Sequence, residues 1–200
     1  MKLKWRRLVS RVAVLPLAVF LVFGSNAWVD RSKLVEEALF LVGTLLVGIG
    51  VIGRVWSLSH IGGKKRRELV TTGPFSLCRN PLYLFSLTGG LGLALCTETL
   101  TIPLLVAIGF FLIYVPTIRV EERMLAERFG AEYEEYRRRV PTRLWPSLRS
   151  YSEEATMVVS GHAFRKGILD LVVFVVLIGV FDFLESLHQS GALKTLFRIY

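Results

Sequence analysis

Val35-Glu36-Glu37-Ala38-Leu39-Phe40-Leu41-Val42-Gly43-Thr44-Leu45-Leu46-Val47-Gly48-Ile49-Gly50-Val51-Ile52-Gly53-Arg54-Val55-Trp56-Ser57-Leu58 is the stretch that decides the fold. A helix rises about 1.5 Å per residue, so a run of this length crosses a hydrocarbon core about 30 Å thick. Gly43, Gly48, Gly50 and Gly53 suit the close helix packing that replaces hydrophobic burial in lipid. Further apolar runs lie at Val12–Phe23, Leu82–Leu95, Thr101–Thr117 and Ile168–Leu184. They are continuous rather than alternating, which selects helices, whose backbone groups are satisfied within the segment. The expectation is one all-α membrane domain over residues 1–200, an integral bundle of about five transmembrane helices.

Composition agrees. The 200 residues are 52% hydrophobic, with a mean hydropathy of +0.51, against about 45–50% apolar in soluble domains even with Gly counted. The first run follows Lys2, Lys4, Arg6, Arg7 and Arg11 and precedes Ser25-Asn26-Ala27, the layout of a cleaved signal peptide. The spans behind it favour an uncleaved first helix. Leu82–Leu95 is short, so with Thr101–Thr117 it predicts a hairpin that is tilted or does not cross fully. Pro103 sits near a helix start, and Pro116 is expected to kink or end the fourth helix.

The net charge of +9 does not indicate nucleic acid, because the basic residues flank apolar runs. The N-terminus, the Lys64–Arg79 loop and the Arg119–Lys166 region hold most of them; the other side has Arg31, Lys33, Lys194 and Arg198. The positive-inside rule then places the N-terminus in the cytoplasm and the C-terminus outside, in a multi-pass protein of a bacterial-type cytoplasmic membrane. Lys64–Arg67 and Arg137–Arg139 are candidate anchors for anionic headgroups. Cys78 and Cys96 lack metal spacing, so neither a metal site nor a disulfide is expected. Asp170 and Asp182 read as caps or interfacial residues, with a functional role as the alternative, and Arg54 as a snorkelling residue or a substrate contact.

Two segments at helix ends carry chemistry. In the first, Thr71 to Tyr83, Gly73-Pro74 favours a turn. Asn80-Pro81 predicts a helix start, with Asn as cap and Pro at the first position, whose free N–H groups suit a carboxylate. In the second, Arg119 to Pro141, helical spacing puts Glu122, Leu125, Phe129, Tyr133, Tyr136 and Val140 on one face. Glu122 is thus a carboxylate among apolar residues and needs a partner: Arg79, Arg119 or a cationic ligand.

Thr72-Gly73-Pro74-Phe75, Arg79-Asn80-Pro81-Leu82-Tyr83, then Glu121-Glu122, Phe129-Gly130, Tyr133, Tyr136, Val140-Pro141 and Trp145-Pro146 after a hydrophobic hairpin together resemble the isoprenylcysteine carboxyl methyltransferase family and its phospholipid methyltransferase relatives. The likeness covers residues 71–146, a methyltransferase-like core, and leaves 151–200 as an extension bearing the last span. It implies a cytoplasmic helical segment that binds S-adenosyl-L-methionine and an opening toward lipid for a lipophilic or lipid-linked acceptor. Gly73, Pro74, Arg79, Asn80, Pro81, Tyr83, Glu121, Glu122, Phe129, Tyr133, Tyr136 and Arg143 would form the cofactor site. Glu122, with Glu121 beside it, would anchor the amino or ribose part of the cofactor, Arg79 and the backbone near Asn80 would meet its carboxylate, and Arg119 or Arg54 would orient the acceptor if it is a carboxylate. Asn80 stands where the family often has His, so it hydrogen-bonds but cannot titrate near neutrality. Membrane sterol reductases using NADPH share parts of this pattern, and a non-catalytic lipid-binding bundle is the third alternative. Nothing in the sequence sets an oligomeric state.

Overall fold

The computed structural model describes residues 24–26, 32–62, 68–154, 159, 161–193 and 197–199. The helices are α1 (Lys33–Ile61), α2 (Pro74–Leu77), α3 (Pro81–Leu95), α4 (Thr101–Phe129), α5 (Ala131–Arg139) and α6 (Gly161–Gln189), with a 3-10 turn at Leu148–Ser150. Two three-residue strands, β1 (Gly24–Asn26) and β2 (Phe197–Ile199), pair in parallel. Among the described residues three helical segments are long and apolar enough to cross a membrane: α1, α4 and Gly167–His188 of α6. At about 1.5 Å per residue, the 15 residues of α3 fall short of a full crossing, as the short run Leu82–Leu95 predicts. The expected first span, Val12–Phe23, and the basic cluster Lys64–Arg67 lie outside the described residues.

The bundle is organised by glycine. A Cβ at Gly43 would stand 2.7 Å from the Gly92 carbonyl oxygen, and one at Gly50 2.5 Å from Gly89 Cα. In the reverse direction, a Cβ at Gly92 would stand 2.6 Å from the Gly43 carbonyl oxygen, while Gly53 makes room for the Phe85 ring. The backbones of α1 and α3 therefore touch directly, the arrangement that gives van der Waals attraction its greatest effect between helices in lipid. Gly48, on another face of α1, has nothing within 4 Å of its Cβ position.

Helix α6 lies on this pair. Phe174 packs over Gly89 and Gly167 meets Val55, and Arg54 of α1 donates to Asp170 of α6 at 2.6 Å. Arg54 also donates to Ser86 of α3, so one guanidinium joins three helices. Asp170 thus answers the charge of Arg54. Pro116 does not end its helix, since α4 continues to Phe129. Pro is tolerated in such helices because neighbouring groups re-satisfy the freed backbone. The helix breaks at Gly130, with φ +50°, so the face from Glu122 to Val140 is carried by two helices, α4 and α5, rather than one.

At the opposite end from α2, the turn between α3 and α4 presents Glu98 to Glu36 of α1 and Glu185 of α6, their carboxylate oxygens all within 4.8 Å of one another. Burial and the neighbouring carboxylates push the Glu98 carboxyl up to about 9. Since an unfolded Glu titrates near about 4.3, folding takes up a proton between these two values, and stability falls as pH rises through that window. The thermal midpoint of the purified protein should therefore decline from pH 5 to pH 9, and Glu98→Gln should flatten the decline. For the glycine seam, Gly50→Leu should cost about 3 kcal/mol or prevent folding, whereas Gly48→Ala should leave the thermal midpoint where it is.

Candidate active site

The site begins at a glycine that the packing requires. Gly73 has φ +59°, and a Cβ there would run into the His60 ring at the end of α1. This position starts α2, whose one turn ends at Leu77 and delivers Arg79 and Asn80 to the start of α3. The chain after α5 is strapped across the same residues by backbone pairing. Arg79 N–H donates to Thr142 O at 3.1 Å, Asn80 N–H to Arg143 O at 3.0 Å, Ser147 N–H to Leu77 O at 2.9 Å and Gly73 N–H to Ser152 O at 2.7 Å. Sequence segments some 70 residues apart are thereby held as neighbours.

Glu122, buried on α4, is the hub of the arrangement. Its Oε1 accepts from Arg79 Nε at 2.9 Å and from Asn80 Nδ2 at 3.2 Å, and its Oε2 accepts from Arg143 Nε at 3.0 Å. Arg79 further donates to the carbonyls of Val140 and Pro141, both at 2.7 Å. A buried charge is tolerable only when paired and hydrogen-bonded, and here both charges are. Pro81 occupies the first position of α3 as expected, but Asn80 makes no side-chain cap. Its amide is turned instead to Glu122 and to the Arg143 carbonyl, because the buried carboxylate is the stronger acceptor.

A cavity of about 280 Å³ opens beside this hub, lined by Arg119, Glu122, Arg123, Ala126, Tyr133, Arg137 and Arg143. Tyr133, Tyr136 and Val140 form the cluster beneath it, with Leu69, Leu125, Ala126 and Phe129 packed against them. Tyr136 O–H donates to the Phe75 carbonyl at 2.7 Å, tying α5 to α2. Among the described residues the Tyr133 hydroxyl, which feels the Arg79 guanidinium, is buried without a hydrogen bond of good geometry. Burial raises the phenols of Tyr133 and Tyr136 above their ordinary range, keeping both protonated at neutral pH. Burial likewise pushes the Cys78 thiol up to about 11, which leaves it protonated and inert.

Of the residues the sequence singles out, Arg119, Glu122, Tyr133 and Arg143 line the cavity, while Arg79 and Asn80 hold it from behind through Glu122. Gly73, Pro74 and Pro81 are buried in its framework. Tyr83 stands one turn into α3 and packs on Tyr114 of α4, ring centroids 5.3 Å apart. Phe129 supports the tyrosine cluster, and Glu121 is half-buried outside the cavity lining. Arg54 is not brought to the cavity; it is engaged by Asp170 and Ser86. Arg123 and Arg137 line the cavity without having been singled out individually. Arg123 lies on α4 and Arg137 on α5, in a charged stretch where the pattern did not set which basic side chains face the cavity.

With this geometry in place, comparison with known proteins shows what the chain is similar to. Residues 38–132 match the family model described as Phospholipid methyltransferase. The chain belongs to one family with the resistance proteins CzcN and NccN, while its likeness to the Phospholipid methyltransferase model and to the isoprenylcysteine O-methyltransferases spans about half of it. It is similar along nearly its whole length to the Cobalt-zinc-cadmium resistance protein CzcN of Cupriavidus metallidurans, at 39% identity over 93% of this chain and 84% of the relative. The Nickel-cobalt-cadmium resistance protein NccN of Alcaligenes xylosoxydans xylosoxydans is 35% identical over 92% of this chain and 85% of its own. The Protein-S-isoprenylcysteine O-methyltransferase of Saccharomyces cerevisiae is 37% identical over 50% of this chain and 46% of its own. No solved structure matches.

The hub makes an unequal prediction for its two arginines. Glu122→Ala leaves Arg79 buried and unpaired and should cost about 3–5 kcal/mol in denaturant unfolding. Arg143→Ala, which removes a half-exposed partner, should cost about 1 kcal/mol or less.

Proposed function

We propose that the chain is an S-adenosyl-L-methionine-dependent methyltransferase acting on a lipophilic or lipid-linked acceptor at the cytoplasmic face of the membrane. The observation that carries this reading is the joining of the Gly73–Tyr83 and Glu121–Arg143 segments around one cavity through Glu122. Its likeness to the Phospholipid methyltransferase model supports methyl transfer, and its apolar helices support residence in a membrane.

The residues present fit such a cofactor. A carboxylate offers about four acceptor positions. Three on Glu122 are filled by Arg79, Asn80 and Arg143, which leaves one for the cofactor's ammonium. Arginines at the cavity wall suit its carboxylate, and the Tyr133 O–H is a donor still to be used. A cavity of 280 Å³ stands near the lower end of ligand pockets, about 300–1,000 Å³. When bound, the cofactor supplies an activated methyl group on a sulfonium. The protein's part is alignment and exclusion of water: the Glu122 hub fixes the wall, the strap after α5 closes one side, and α4 leads from the apolar layer to Arg119. Asn80 donates and does not titrate, so no proton is routed through it.

The ends of α1, α4 and α5 nearest the site carry the basic residues, which supports an orientation with that end in the cytoplasm, the N-terminus inside and several passes across the membrane. Arg137–Arg139 are exposed there and suit anionic headgroups. The names of CzcN and NccN support a setting in which the methyl transfer serves resistance to divalent metals.

Isothermal titration of the detergent-purified chain with S-adenosylhomocysteine tests the assignment. Binding is expected in the micromolar range, roughly −8 kcal/mol, weakened about tenfold or more by Glu122→Gln; no binding to folded protein removes the assignment. Stabilisation by NADPH in place of S-adenosylhomocysteine would favour a reductase.

A further inference from the structure

The strap that follows α5 wears its polarity inside out. Toward α2 it offers hydroxyls and peptide groups: Thr142 Oγ1 donates to the Leu77 carbonyl at 3.3 Å, Ser150 Oγ to the Ser76 carbonyl at 2.9 Å, and Ser147 N–H to Leu77 O at 2.9 Å. Away from α2 it offers Trp145, 71% exposed, Leu148, 81% exposed, and Tyr151. Single apolar residues scattered over a surface are ordinary, but several gathered on one short segment mark a place of contact. Charge is distributed to match. From Arg137 to Tyr151 the chain holds five arginines and no carboxylate, and Arg138, Arg139 and Arg149 are exposed. The acidic residues that follow are engaged within the protein, Glu153 by the Tyr151 hydroxyl and Glu154 by Thr72. Backbone pairing sets the height of the strap. Asn80 N–H donates to Arg143 O, and Pro81 beside it opens the apolar helix α3, so the strap runs where the apolar layer of the bundle begins.

We infer that the outer face of this strap seats in the headgroup layer of the membrane that the helices cross, and that the seat braces the strap against the cavity. Trp145 and Leu148 enter the boundary between headgroups and acyl chains, and Arg138, Arg139 and Arg149 meet anionic lipid. A Trp ring with one apolar body and one polar N–H suits that depth, which is why such rings gather at membrane interfaces. Arginines beside an anionic leaflet gain from its negative surface potential. Apolar side chains at membrane height, accompanied by exposed positive charge, are complementary to a lipid surface in both respects.

The seat bears on the cavity because strap and hub share a residue. Arg143, two positions before Trp145, donates to Glu122 Oε2 at 3.0 Å, and its carbonyl accepts from both the backbone N–H and the side-chain amide of Asn80. Holding Trp145 in the interface therefore holds Arg143 at the cavity wall, where it is one of the lining residues. The inference goes beyond the methyltransferase reading and does not depend on it, since the wall is braced whatever the cavity binds.

The test uses the full chain in phosphatidylcholine nanodiscs. The fluorescence of Trp145 is read as the difference between wild type and Trp145→Phe, which separates it from Trp5, Trp28 and Trp56. That share should be quenched by lipids brominated on the upper acyl carbons and should resist dissolved iodide. Admixed phosphatidylglycerol should raise the thermal midpoint, and the rise should shrink in added salt and in the combined variant Arg138→Gln, Arg139→Gln, Arg149→Gln. Hydrogen exchange reads the bracing. With Trp145→Ser and Leu148→Ser together, the amides of Arg79, Asn80 and Ser147 should exchange about tenfold faster, while Trp145→Phe leaves them near the wild-type rate. Quenching of the Trp145 share by iodide, or by neither agent as under a covering protein, overturns the lipid seat. A phosphatidylglycerol effect undiminished in the arginine variant overturns the anionic contact, and unchanged exchange in the serine variant overturns the bracing.

Discussion

The direct contact of the α1 and α3 backbones is the constraint on which the rest depends. Gly43 against Gly92 and Gly50 against Gly89 leave no space for a side chain on either helix. Because lipid tails are as apolar as leucine, helices in a membrane gain little from burial, and close approach must supply the attraction instead. This seam fixes the height of α3 against α1, and therefore where Asn80-Pro81 begins α3 relative to His60. From that starting point the short α2 turn has one place to lie, with Gly73 beneath the His60 ring, and Arg79 emerges toward α4. The site is thus positioned by packing some way above it.

Charge then does what packing does not. Glu122 gathers Arg79, Asn80 and Arg143 from two separate stretches of chain, and Arg54 gathers Ser86 and Asp170 from two more. The two hubs divide the work. The first builds a wall around a cavity that retains unbalanced arginines and the Tyr133 hydroxyl; the second fastens α6, the helix beyond the methyltransferase resemblance, to the central pair. Arg54 was a candidate for contact with the acceptor on sequence grounds, and its engagement with Asp170 gives it this other work.

What the sequence made legible follows the physics of each signal. Apolar runs declared α1, α4 and α6, and the shortness of Leu82–Leu95 declared α3, because length and hydropathy are local properties. Pro81 announced its helix start because the proline ring sets its own backbone angle. Glu122 stood out because a carboxylate on an apolar face demands a partner, and Arg79 was among those proposed. Less legible was whatever depends on the backbone alone or on distant encounters. The strap from Thr142 to Ser152 is built on peptide N–H and C=O groups, which every residue has. The continuation of α4 through Pro116 depends on surroundings that override a local preference. The meeting of Glu36, Glu98 and Glu185 depends on how three segments converge.

The bond between Arg54 and Asp170 also bears on how the protein is made. The arginine enters the bilayer early, on α1, and its carboxylate counterpart arrives only with α6, after the other described helices have been synthesised. An ionised side chain within the apolar layer is costly without a counter-charge, so the nascent bundle stays electrostatically incomplete until its final helix docks. A ribosome product cut short before residue 170 would carry that mismatch exposed, marking itself as unfinished to any quality-control machinery that senses charge in the membrane.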